Sequence, residues 1–151
     1  MKITIEDDTI LTAIETKIDG LSDDAELMLE IQEAFYHQME PYIPMREGIL
    51  MGHVSITPYY VHFLSEYAHY MYEGVVYGPN IPVFENGVIV AWWSPPSGKS
   101  PTGKAINYST EQHHLATHHW DKAMMQDKGD EFVAQVGIII SNHIGKENNN
   151  G

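Results

Sequence analysis

The residues best equipped for chemistry lie together in Gln112-His113-His114-Leu115-Ala116-Thr117-His118-His119-Trp120. His114 and His118 stand four apart. On a helix they would share one face and could hold a metal ion, with Glu111 a candidate third ligand. The catalytic version of this pattern, H-E-x-x-H, carries its general base directly after the first histidine. Leu115 occupies that place, so the motif supplies no base. Adjacent histidines also serve at helix starts and in subunit contacts, and that structural assignment is preferred. A metal-dependent hydrolase using His113–His119 stays as the enzymatic alternative.

Other reactive patterns fall away on inspection. Gly98-Lys99-Ser100 imitates the end of a phosphate-binding loop, but Trp93 stands where that motif needs its first glycine. Pro101 also blocks a helix start at the point where a helix N-terminus would cradle phosphate. No serine elbow and no dinucleotide-binding glycine fingerprint occurs. There are no cysteines, which removes disulfides, cysteine-ligated zinc, iron–sulfur clusters and thiol catalysis. No catalytic residue and no cofactor is expected.

Charge narrows the partners. The 151 residues carry 8 Lys plus Arg against 21 Asp plus Glu, a net charge of −13. Residues 1–40 hold 11 of those acids and 2 lysines. Such a surface repels phosphates, so sequence-specific nucleic-acid binding is not expected. An acidic inhibitor that mimics DNA is a further alternative, although a mimic would spread its acids along the chain. No run approaches the ~18 apolar residues that span a bilayer, and the start shows no apolar signal core. The expectation is a chain that matures in a cytoplasm and has no membrane partner.

The elements that must position these residues follow from periodicity. With 43% hydrophobic residues the chain can bury an ordinary core. Residues 2–6 alternate as a strand. Ile10, Leu11, Ile14 and Ile18 take helical spacing, with Gly20 as a stop. Ser22 or Asp23 is the expected cap of a second helix, whose apolar face is Met28, Ile31, Phe35 and Met39 and whose end is set by Pro41 and Pro44. Ile49 to Thr57 and Tyr60 to Ser65 form a hairpin around Thr57-Pro58-Tyr59. Glu66 to Glu73 is a short helix or irregular strand closed by Gly74. Asn86-Gly87 between Val83-Phe84 and Val88-Ile89-Val90 is a strong hairpin signal. A helical pattern resumes near Leu115 and runs through Trp120, Met124, Phe132, Val136 and Ile140, with a bend or break at Gly129. The whole is an α+β fold, helices packed on a mainly antiparallel β-sheet. It is expected as a single domain, 1–145, followed by a flexible polar tail, 146–151.

Two segments stand out as interaction surfaces. Tyr59, Tyr60, Tyr67, Tyr70, Tyr72 and Tyr77 cluster without a Lys or Arg among them, which argues against stacking on single-stranded nucleic acid. Tyrosine is enriched at protein–protein contacts, and half-buried core rims are the other reading. Residues 94–110 hold three Pro, two Gly, four Ser, two Lys and no acid, a long loop before the C-terminal helical segment. Trp92, Trp93 and Tyr108 bracket this loop, and Lys99 and Lys104 give it a charge opposite to the rest. It is expected to act as an assembly arm on an acidic neighbour.

Several blocks resemble one family. Pro44-Met45-Arg46-Glu47-Gly48-Ile49-Leu50 after a long helix resembles a segment of phage head–tail joining proteins. Glu66-Tyr67-Ala68-His69-Tyr70-Met71-Tyr72-Glu73-Gly74 is similar to their "PYA-x-Y-x-x-x-G" block, with Glu66 in place of the usual proline. Val76-Tyr77-Gly78-Pro79-Asn80-Ile81-Pro82, Trp93-Ser94-Pro95-Pro96, Pro101-Thr102-Gly103-Lys104, Tyr108-Ser109-Thr110 and His114 to Trp120 resemble the minor capsid protein branch of phages and prophages of Gram-positive hosts. The resemblance spans roughly residues 1–140. It implies a non-enzymatic subunit of the virion neck, assembled in the host cytoplasm. The expected assembly is a homo-oligomeric ring of six or twelve subunits between portal and tail. It would contact adjacent neck and tail proteins and pass DNA through its channel. Interaction candidates are Tyr67, Tyr70, Tyr72, Tyr77, Trp92, Trp93, Lys99, Lys104 and Tyr108.

Overall fold

The computed structural model describes residues 1–6, 10, 12, 24–45, 53–65, 68–78, 81–93, 98 and 100–150. The helix expected over residues 10–18 lies outside these, apart from Ile10 and Thr12. Both are helical, and Ile10 is fully buried.

Three short strands form an antiparallel sheet in the order β1-β3-β2: Lys2–Ile3 (β1), Val54–Ile56 (β2) and Val61–Phe63 (β3). Ile3 pairs with Val61, and Val54 pairs with Phe63. Side chains alternate across a strand, so Val61 and Phe63 are fully buried while His62 faces the other way. The Thr57 hydroxyl accepts the backbone N–H groups of Tyr59 and Tyr60, both at 3.2 Å, and so closes the expected hairpin turn.

Helix α1 covers Ala25–Met39. Its cap is Asp24, whose carboxylate accepts the Leu27 N–H at 3.1 Å, so the expected cap at Ser22 or Asp23 moves one residue or more along the chain. The correction has a simple cause: consecutive aspartates offer the same side chain, and only geometry selects between them. Leu27, Ile31, Phe35 and Met39 are buried at helical spacing. A 3-10 turn, Glu40–Tyr42, ends the helix with Pro41 in its first turn, where the missing N–H cannot continue the ladder.

Ala68–Glu73 form the short helix α2. The long helix α3, Trp120–Asn150, contains a non-helical Lys128 (φ −131°, ψ 16°) beside Gly129, the bend expected there. Its last residues include 146–150, read from sequence as a polar tail. The helical pattern expected from Leu115 begins only at Trp120. His119 sits at φ 44°, a left-handed conformation that cannot belong to a right-handed helix.

Helices α1 and α3 pack on each other through Phe35 and Phe132, whose ring centroids lie 5.5 Å apart. Trp120, fully buried, joins three elements. Its ring meets Phe63 of β3 edge-on at 5.4 Å and Tyr72 of α2 at 5.0 Å. The fold is α+β: helices with antiparallel sheets.

The remaining four strands are two-stranded pairs: β4 (Val75–Gly78) with β7 (Ser100–Ala105), and β5 (Ile81–Glu85) with β6 (Val88–Trp93). Because β5–β6 is nested between β4 and β7 in the chain, the two pairs are successive parts of one hairpin. Part of the expected loop 94–110 is therefore strand. Pro101 hid this from sequence reading, since proline cannot donate to a ladder and is confined to edges. Here β7 has one described partner, β4, and the proline is tolerated. Residues 94–97 and 99 of that loop lie outside the described residues.

Candidate functional site

The hairpin begins at Gly74. Its φ of +76° turns the chain from α2 into β4, and a Cβ built there would stand 2.7 Å from the His118 Cβ. Glycine is needed twice over, for the angle and for the space. The Ile106 N–H returns to the Gly74 carbonyl at 2.9 Å, which fastens both legs at the base. Tyr108 donates its hydroxyl to the Met71 carbonyl, and burial pushes its pKa up to about 12. Tyr72 donates to the Asp121 carboxylate at 2.7 Å, and burial with that hydrogen bond raises its pKa strongly. Both are phenols at any physiological pH, so both act as fixed donors.

Beyond this base the hairpin is uncovered. All residues of β6 and β7 are exposed, as are all of β5 except Pro82. Ile81, Val83, Phe84, Val88, Ile89 and Val90 are each more than two-fifths exposed, Trp92 62% and Trp93 50%. Trp92 pairs with Pro82 and Trp93 with Ile81 in regular register, so the two indoles project from opposite faces. Val-Ile-Val-Ala-Trp-Trp has no polar alternation. A strand with such a sequence is ordinarily buried on both faces. This one has water on both.

The turn that makes the hairpin possible is Asn86-Gly87, with φ 52° and 79°, the two left-handed angles of a type I′ connection. A register shift between Val83 and Phe84 breaks the ladder once. In the lower part, the Thr102 hydroxyl donates to the Val76 carbonyl at 2.6 Å, and Lys104 is exposed.

The expected interaction residues thus separate into three groups. Trp92, Trp93 and Lys104 lie on the uncovered hairpin. Tyr70 and Tyr77 pack together at its root, ring centroids 4.7 Å apart, with His69 against both. Tyr72 and Tyr108 are committed internally and hold the root. Tyr67 and Lys99 lie outside the described residues. Sequence reasoning missed Phe84, Ile81, Val83, Val88, Ile89 and Val90 as surface. The signal was present in the unbroken apolar run, which states that two faces need cover without stating whether the cover is internal.

The histidine segment does structural work. His113 shares a hydrogen bond with the Ile43 carbonyl at 2.8 Å, the Thr117 N–H reaches the Tyr42 carbonyl and the His119 N–H reaches the Tyr72 carbonyl. The segment straps the end of α1 to α2. It is not helical, so His114 and His118 share no helical face, which corrects the geometry on which a metal pair depended. Among the described residues no group of three His, Asp or Glu side chains is placed to hold a metal ion. A cavity of about 260 Å³ opens beside α3, lined by Ile5, Phe35, Met125, Glu6, Lys122 and Asp121, but the Asp121 carboxylate is already taken by Tyr72. No helix among the described residues is long and apolar enough to cross a membrane. Comparison of the chain with family models, curated proteins and solved structures finds no match in any of the three.

Proposed function

We propose that this chain is a structural virion protein, a subunit of the neck that joins a phage head to its tail and lets DNA pass. The observation that carries the reading is the uncovered hairpin. A small body that holds out a ribbon with apolar side chains on both faces is shaped for assembly. Isolated two-stranded hairpins are marginal in water, and large exposed apolar patches mark interaction sites. The motif resemblance in residues 44–50, 66–82 and 93–120 supplies the kind of assembly. The function is geometric and needs no catalytic residue or cofactor: one face for the ring neighbour, others for the rings above and below. Contacts between unlike faces close into a ring when their rotation divides the circle.

The experiment is deletion of the coding sequence in a phage or induced prophage that carries it. DNA-filled heads and finished tails that fail to join, together with the protein in purified wild-type particles, are the expected result. Normal joined and infectious particles from the deletion would refute the reading.

A further inference from the structure

The hairpin also indicates its own partner. We propose that the β5–β6 ribbon docks on the helical body of a second copy of this chain, an arm-to-body contact between unlike surfaces. This deepens the neck reading and rests on it only for closure of the contact into a ring.

The argument begins with surface that must be covered. Aromatic side chains present about 150–250 Å² each, so Trp92, Trp93 and Phe84 alone leave roughly 300 Å² of apolar surface in water. The exposed aliphatic residues of β5 and β6 bring the ribbon toward the ~800 Å² per partner that a specific interface buries. Trp and Phe at the centre of such a surface are the usual anchors. Both faces carry them, so a flat stack of two ribbons would cover only one face of each. A groove or clasp on a larger body covers both.

Charge selects the body. Residues 75–110 carry a single acid, Glu85, and two bases, Lys99 and Lys104, in a chain of net −13. The arm is thus slightly positive, and nearly all the negative charge sits on the remainder. On α1 the exposed positions Glu26, Glu30 and Glu33 follow one another along one face. Two bodies meeting directly would bring like charges together. An arm on a body brings opposite charges together, which fixes the partner's orientation as well as its identity. The root is stiffened for this use: Gly74, Tyr108 and Ile106 anchor the hairpin to α2, so the ribbon is presented and not loosely tethered.

The test measures the oligomeric state of the full chain by light scattering across the micromolar range, with a Trp92→Ser/Trp93→Ser variant beside it. The substitutions fall on exposed sites, so circular dichroism and melting temperature should stay unchanged. The expected result is a wild type that associates and a variant whose association is about tenfold weaker or more. A wild type that stays monomeric at every concentration overturns the proposal, while the neck reading survives if the deletion phenotype is found. A variant that assembles like the wild type overturns the arm and leaves the homo-oligomer. Should the double variant misfold, Phe84→p-benzoylphenylalanine decides instead. Photo-cross-links from position 84 into α1 or α3 of another copy support the contact, and links only within one chain overturn it. Vesicles of phosphatidylcholine with phosphatidylglycerol give the last arm: ribbon-dependent binding to them would assign the surface to lipid and overturn the proposal.

Discussion

At Gly74 two requirements meet that only the absence of a side chain satisfies. The left-handed angle strains any L-residue, and the His118 Cβ would lie 2.7 Å from a new Cβ. Gly74→Ala should therefore lower stability by about 1–3 kcal/mol in denaturant unfolding. Adding His118→Gly removes the contact but leaves the angle, so only part of the loss should return. Full rescue would show that the angle costs nothing. The turn itself was legible, since a glycine after a short aromatic helix announces a left-handed exit. The contact was not, because nothing local says which distant residue will lie over the glycine. A second residue-scale case is Asp24. The Leu27 N–H first, then the His143 ring at 2.6 Å, hold its pKa below the ordinary aspartate value. A group lowered in the folded state stabilises above its unfolded pKa, about 3.9, and loses that contribution as pH falls through the folded value. Below about pH 4 the wild type should lose stability, whereas Asp24→Ala should already be less stable at neutral pH and change less on acidification. Parallel acid titrations of the two melting temperatures would refute the cap's role.

Elements were legible where one local rule decides them. The β2–β3 hairpin, α1, α2 and the Asn86-Gly87 turn all follow from spacing and turn chemistry. The departures share one cause, a residue whose tertiary setting overrides its local preference. Pro101 sits in β7 because it occupies a strand with a single described partner, and the helical pattern near Leu115 fails to propagate because His119 turns the other way. Likewise, the apolar run of β6 has the pattern of a buried strand in a strand that is exposed. Inside α3 the same logic yields a prediction. Gly137 lies in the helix, and a Cβ there meets nothing within 4 Å. Glycine in a helix interior costs roughly 0.5–1 kcal/mol relative to alanine. Gly137→Ala should raise stability by about that amount without changing the oligomeric state. A loss of stability would mean that this position is not regular helix.

At the scale of the whole molecule the distribution of acids governs behaviour more than any single pair. The ion pairs among the described residues are His37–Glu40, His119–Glu73 and His143–Asp24, each made by a histidine. Lys2 and Lys128 instead face aromatic rings, Tyr60 at 4.5 Å and Tyr42 at 5.9 Å. The described lysines thus leave most carboxylates uncompensated, and a net charge of −13 opposes compaction by self-repulsion. Along α1, Glu26, Glu30 and Glu33 stand three and four residues apart, where like charges destabilise a helix by about 0.2–0.5 kcal/mol per pair. Salt acts on this repulsion directly, because the screening length falls from about 30 Å at 0.01 M to about 8 Å at 0.15 M. The melting temperature should therefore rise by several degrees as sodium chloride increases over that range. A fold held by surface ion pairs would show the opposite slope. Glu26→Gln/Glu30→Gln/Glu33→Gln should melt higher than the wild type at low salt and respond less to added salt. If the wild-type melting temperature is flat or falls with salt, self-repulsion does not limit stability, and the acidic body is compensated by contacts that outweigh its net charge.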